Sequence, residues 1–169
     1  MKSDRLFSRD FTLMVIGQII SLLGNAVLRF ALPLQVLDAT GSAAAFGGVL
    51  ALSMVPVLLC SPLGGVLADR GPRQRIMWGL DFSTAALAAG YGLLFARGHS
   101  VAAVGGMMVL LSAIQALYQP AVQASIPVLV AEEHLPAANG VVAQVQALSS
   151  LLGPILGGIL YGWVGLAPI

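Results

Sequence analysis

The sequence predicts an all-α membrane protein with five transmembrane helices, and three observations point there. Hydrophobic residues make up 58% of the 169 positions, with a mean hydropathy of +0.93. Asp, Glu, Lys and Arg together supply only 9%, against about 25% in an ordinary soluble domain. No water-soluble fold of this size can hide that much apolar surface. Finally, the apolar residues form unbroken runs of about 20 or more, the length of a membrane helix, rather than the alternating runs of about ten that build a membrane β-barrel.

Five segments qualify. The first covers about 11–37 and stops at the turn signal "DATGS". The preceding "MKSDRLFSRDF" mixes acids with bases and no small-residue cleavage site follows, so this segment is a retained helix rather than a signal peptide. The second covers about 43–68 and ends at a charged cluster. The third, about 75–96, closes at "RGHS". The fourth, about 101–126, contains Pro120, where a kink is expected. The fifth, about 136–164, begins at Pro136, a residue suited to a first helical turn. The chain ends soon after this odd-numbered span and is expected to be part of a larger structure.

Orientation follows from the bases. Lys2, Arg5 and Arg9 precede the first helix, and Arg70, Arg73 and Arg75 lie between the second and third. Helix alternation puts both groups on one side, which the positive-inside rule assigns to the cytoplasm. The opposite loops offer only Arg97, with Arg29 inside a helix.

The stretch "GGVLADRGPRQRIM" therefore reads as a tight cytoplasmic turn broken at Gly71-Pro72. Anchoring at the headgroups accounts for the arginines. Asp69 is different, because a carboxylate at a helix C-terminus meets the negative end of the macrodipole at a cost of a few tenths to about 1 kcal/mol. Its compensation is expected from the neighbouring arginines or from the N-terminal end of another helix. Exchange between such partners would make it a latch for a rocking protein.

On these residues the chain resembles the major facilitator superfamily, whose loop between the second and third helices reads roughly Gly-x-x-x-Asp-Arg-x-Gly-Arg-Arg. Gly65, Asp69, Arg70 and Arg73 match; Pro72 replaces a glycine and Gln74 a base, with Arg75 one position later. The first segment, "GQIISLLGNAVLRFALPLQVLDATGS", is similar to first helices of its exporters, particularly the macrolide-efflux-like branch. "YQPAVQASIPVLV" and "AANG" resemble the passage from fourth to fifth helix there, and "SLLGPILGG" resembles the Gly-Pro motif of drug antiporters. The resemblance implies an incomplete N-terminal six-helix bundle, the other half of a twelve-helix transporter as partner, and a substrate held between the halves. It further implies that Asp69 and the arginines form a charge relay stabilising one state.

Polar residues inside the spans are the remaining candidates. Gln18, Asn25 and Arg29 are spaced seven and four apart and share a helix face adjoining Ser21. At about 1.5 Å per residue Arg29 lies roughly 27 Å from Phe11, so it either snorkels to the outer interface or lines a cavity. Asp81 lies about 9 Å into the third helix, within reach of Arg73 or Arg75, and charge pairing at the inner gate is its expected role; carrying a coupling proton is the alternative. Gln115 and Gln119 on the fourth helix, and Gln144 and Gln146 on the fifth, either glue helices together or line the cavity. Drug–proton antiporters commonly carry an arginine in the fourth helix, and none occurs here beyond Arg97, which weakens a claim of proton antiport. Ser149, Gly153 and Gly157, with Gly158 beside them, form a small-residue face for close packing. Pro154, which lacks a backbone donor, loosens the helix locally, and the resemblance links the motif to export direction. Glu132, Glu133 and His134 read as a solvated cytoplasmic loop.

Enzyme chemistry is not expected. His99 and His134 fall on opposite sides of the membrane and cannot share a metal. No phosphate-cradling Gly-x-x-x-x-Gly-Lys run occurs, no cofactor is implied, and the net charge of +1 marks no nucleic-acid surface. Cys60, the single cysteine, reads as a small buried hydrophobe. The expected function is part of a secondary transporter exporting amphipathic small molecules, its partners being the bilayer, the substrate and the other half. A non-transporting membrane scaffold and a nutrient importer are the alternatives. This chain alone is expected to move nothing.

Overall fold

A computed structural model describes residues 6–95 and 100–164, with the side chains of positions 69, 94, 95 and 164 left out of the description. It consists of five long helices: α1 (Arg9–Thr40), α2 (Ala43–Arg70), α3 (Arg73–Phe95), α4 (Val101–Leu129) and α5 (Leu135–Val164), with a single 3-10 turn, Glu132–His134, before α5. Four of them, α1, α2, α4 and α5, are long and apolar enough to cross a membrane. The helix α3 falls short of the other four in apolarity, because Arg73, Arg75 and Asp81 crowd its first turns.

Local chemistry sets the ends. The Ser8 hydroxyl accepts from the Phe11 N–H at 3.2 Å and opens α1; the Ser42 hydroxyl does the same for Ala45 in α2. Between those helices Gly41 adopts φ 63°, a left-handed conformation that glycine enters without strain, and its N–H returns to the Leu37 carbonyl at 2.8 Å. Pro33, Pro56, Pro62, Pro120, Pro127 and Pro154 all lie inside helices. Neighbouring helices and local adjustment make such prolines tolerable at membrane depth, and α4 continues through two of them to Leu129.

The bundle is built from tight pairs. The helix α2 packs most extensively on α4, α1 on α5, and α3 on the other side of α4. Apolar burial gathers in two layers. One lies at the end carrying the α2–α3 turn, around Phe11, Tyr118, Val122, Ile126 and Val142; the other lies at the opposite end, around Leu32, Val36, Met108 and Leu111. Much of the outer surface is large and apolar, with Leu58, Leu63 and Phe82 each more than 60% exposed. That surface would aggregate in water and suits lipid.

Glycines permit the close approaches. A side chain at Gly153 would land on the Cβ of Ala26, and one at Gly157 would lie 3.1 Å from the Phe30 ring and 3.2 Å from the Val27 carbonyl. The small-residue face of α5 thus seats against α1. Gly64 plays the same part in α2, where a Cβ would come within 2.7 Å of the Ala116 carbonyl oxygen of α4. Gly65, the glycine matched by the loop pattern, has open space where its Cβ would be.

Candidate functional site

The charged turn is tighter than the sequence suggests. Asp69 and Arg70 belong to the last turn of α2, Arg73 and Arg75 to the first turn of α3, and only Gly71 and Pro72 lie between. The Gly71 N–H bonds the Leu67 carbonyl at 2.9 Å, and a Cβ there would strike Ile76 Cδ1 at 2.7 Å. Folding back so sharply lets the Arg73 Nε–H donate to the Ala68 carbonyl at 3.0 Å. A guanidinium therefore sits on an otherwise open carbonyl at the negative end of α2. We expect Arg73→Ala to destabilise the protein by about 1 kcal/mol, and Arg75→Ala, at an exposed position, to change it by less than about 0.5 kcal/mol. Thermal melts of the two variants in detergent check this. The Asp69 side chain lies outside the described residues, as do Lys2, Arg5, Arg97 and His99.

Asp81 departs from expectation. Its carboxylate does not pair with Arg73 or Arg75; Oδ1 instead accepts from the Ser21 hydroxyl of α1 at 2.6 Å. The physical reason is the cap just described, which turns Arg73 back towards α2, while Arg75 stays exposed. Asp81 faces a cavity of about 830 Å³ between α1, α3 and α4, opening at the end that carries the charged turn.

The first-helix candidates divide. Gln18 is fully buried and neither amide atom has a hydrogen-bond partner among the described residues. Asn25 is buried and donates to the Ser21 carbonyl at 3.0 Å, leaving its own oxygen unpartnered. Arg29 is half-buried, with no ion pair to any described residue. All three share the protected face that their spacing predicts.

On α4, Gln115, Gln119 and Gln123 follow one another at intervals of four. They line a groove of about 290 Å³ against Val57 and Ser61 of α2. The Gln146 amide of α5 donates to Gln119 Oε1 at 3.0 Å and joins the two helices. The groove is uncharged, with amides that both donate and accept. Gln144 is exposed and takes no part in it. Ser149 is buried, Pro154 exposed and Gly158 lies 3.7 Å (as a built Cβ) from the Phe30 ring.

Four participants were not singled out from sequence: Gln123, Tyr118, and the bridges Tyr91–Gln35 at 3.1 Å and Tyr161–Asp38 at 2.5 Å, which tie α3 and α5 to α1 near the far end. Gln123 was within reach, since it extends the spacing of Gln115 and Gln119 by one more turn. The bridges link residues 56 and 123 positions apart, and no local pattern marks them.

A family model described as Major Facilitator Superfamily matches residues 14–168. The chain belongs to the major facilitator superfamily. Its relatives in the superfamily include macrolide efflux protein A of Streptococcus pyogenes, 33% identical over 148 residues, covering 86% of this chain and 36% of the relative. The Enterococcus faecalis protein of the same name is 34% identical over 113 residues, covering 65% of this chain and 34% of the relative. Multidrug efflux pump Tap of Mycobacterium tuberculosis is 27% identical over 160 residues, covering 90% and 38%. The chain thus spans little more than a third of the length of these superfamily members. Family and apolar helices together make it an integral membrane protein.

Proposed function

We propose that the complete protein exports amphipathic small molecules by alternating access, and that this chain supplies five helices of its N-terminal half. Likeness to macrolide efflux protein A along 86% of the chain is the observation that carries this reading. The glutamine-lined groove gives it a physical basis. Ligand sites are mostly apolar with a few placed polar groups, and an apolar floor under Gln115, Gln119 and Gln123 suits a bulky molecule rich in hydroxyls and carbonyls. The other half of the transporter forms the facing wall, and the end bearing Arg70, Arg73 and Arg75 faces the cytoplasm by the positive-inside rule.

The test uses the full-length protein in proteoliposomes. A Gln115→Leu/Gln119→Leu double variant is expected to slow macrolide efflux at least tenfold, about 1.4 kcal/mol or more, at unchanged protein level. Wild-type efflux by that variant would sink the role of the groove, and gradient-driven accumulation in the opposite direction would sink export. The isolated 169-residue chain is expected to give no saturable flux in the same assay.

A further inference from the structure

The two apolar layers leave a polar level between them. Leu22 of α1 and Tyr118 of α4 belong to one layer, Leu32 and Leu111 to the other. Between them α1 carries Asn25 and Arg29, and α4, which touches α1, carries Ser112 and Gln115. Asn25 and Ser112 are buried, and Asn25 Oδ1 and the Ser112 hydroxyl have no hydrogen-bond partner among the described residues. Both are neutral dipoles. The charge at this level is Arg29. Leu22, Asn25, Pro33 and Val36, at seven and four positions on either side of it, are all buried, so Arg29 starts from the interior face of α1 and not from the lipid face. Arg29 itself is only half-buried, which leaves it within reach of a ligand.

No acid of this chain neutralises it. The chain has seven, and the two nearest along the bundle are already engaged. Asp81 is held by Ser21 at 2.6 Å, about 12 Å along α1 towards the charged turn. Asp38 lies about 14 Å the other way and accepts from Tyr161 at 2.5 Å. Asp10, Asp69, Glu132 and Glu133 belong to the end that bears the charged turn, and Asp4 precedes α1. An arginine at membrane depth is costly and almost always paired, so the counter-charge of Arg29 comes from outside this chain. The planar guanidinium fork grips carboxylates and phosphates through two parallel N–H donors. The other lysines and arginines lie at or beyond the helix ends. A lone guanidinium balances one negative charge, which favours a carboxylate over a phosphate monoester.

We propose that Arg29 binds the carboxylate of an amphipathic solute lodged between the two halves of the transporter. Gln115, at the same level, is the glutamine of the groove farthest from the charged turn, so the solute's neutral polar groups meet the glutamines while its acid meets Arg29. This deepens the export reading and rests on it for the solute's place; carboxylate-bearing amphipaths become a further class of ligand.

The full-length protein in phosphatidylcholine nanodiscs is titrated by calorimetry with 2-naphthoate, and the heat of empty nanodiscs is subtracted. Saturable binding is expected. Uncharged 2-naphthalenemethanol and cationic 2-naphthylmethylammonium should bind at least about tenfold more weakly. Arg29→Gln should weaken naphthoate binding by about tenfold or more, and Arg29→Lys, which keeps the charge but loses the fork, by about threefold. Arg75→Gln, at an exposed base of the charged turn, should leave it within about twofold. Equal binding of the three compounds by wild type, or wild-type affinity in Arg29→Gln, would overturn the proposal. So would the absence of saturable binding; if Arg29→Gln then lowers the melting temperature as well, the counter-charge is a carboxylate of the facing half. Flux is read separately. Naphthoate binding without macrolide efflux leaves the carboxylate site standing and sinks the export reading, whereas efflux without naphthoate binding does the reverse.

Discussion

Replacing Gly153 by leucine is expected to prevent recovery of a monodisperse protein, because the α1–α5 pair cannot form around a side chain at that point. Even the Cβ of alanine would land on the Cβ of Ala26 and within 3.1 Å of its carbonyl carbon. Overpacking of this kind costs about 1–3 kcal/mol in a well-packed core, so Gly153→Ala should lower the melting temperature measurably and Gly153→Leu should abolish the fold. The α5 position Gly162 has nothing within 4 Å of a built Cβ, and Gly162→Ala should change stability by less than about 0.5 kcal/mol. Ala26→Gly combined with Gly153→Ala closes the test. Removing the methyl that Gly153→Ala strikes should restore about 1 kcal/mol or more, seen as a favourable coupling in the double-mutant cycle. Independent, additive effects of the two changes would show that α1 and α5 do not meet here.

The second large effect separates two adjacent glycines. Gly64→Val is expected to split α2 from α4, since its first side-chain carbon would lie 2.7 Å from the Ala116 carbonyl oxygen, 3.1 Å from Pro120 Cγ and 3.2 Å from Leu117 Cα. Two of those three atoms are backbone and cannot turn aside, so a loss of about 3 kcal/mol or more is expected. Gly65→Val should be borne with a far smaller change, because no atom lies within 4 Å of that Cβ. Size-exclusion profiles and melting temperatures of the two variants give the comparison. Equal destabilisation would contradict the α2–α4 contact.

The family pattern marks Gly65, while the bundle presses on Gly64. The composition and the long apolar runs announced helices in a membrane. The turn at Gly71-Pro72 and the arginines around it were visible as well, though Asp69 and Arg70 lie within α2 and not in a loop. The repeat of Ser149, Gly153 and Gly157 announced close packing without saying on what; the answer is Ala26, Val27 and Phe30 of α1. Gln115 and Gln119 were visible as a polar face of α4, yet their separation from Gln144, and union with Gln146, depended on how α5 rotates. The spacing along the chain points Asp81 to Arg73 or Arg75, but a two-residue turn draws Arg73 back to Ala68 and leaves the acid to Ser21, 60 positions away.

What the sequence determined by itself is the environment and the period: the hydropathy chose the bilayer, and 3.6 residues per turn chose which side chains share a face. The tertiary structure alone decided which faces meet. In lipid the surroundings are as apolar as the side chains, so burying one leucine rather than another selects no partner. Selection falls to the few places where backbones can touch, at Gly64 and Gly153, and to polar groups that find one another across helices, such as Ser21 with Asp81 and Gln119 with Gln146.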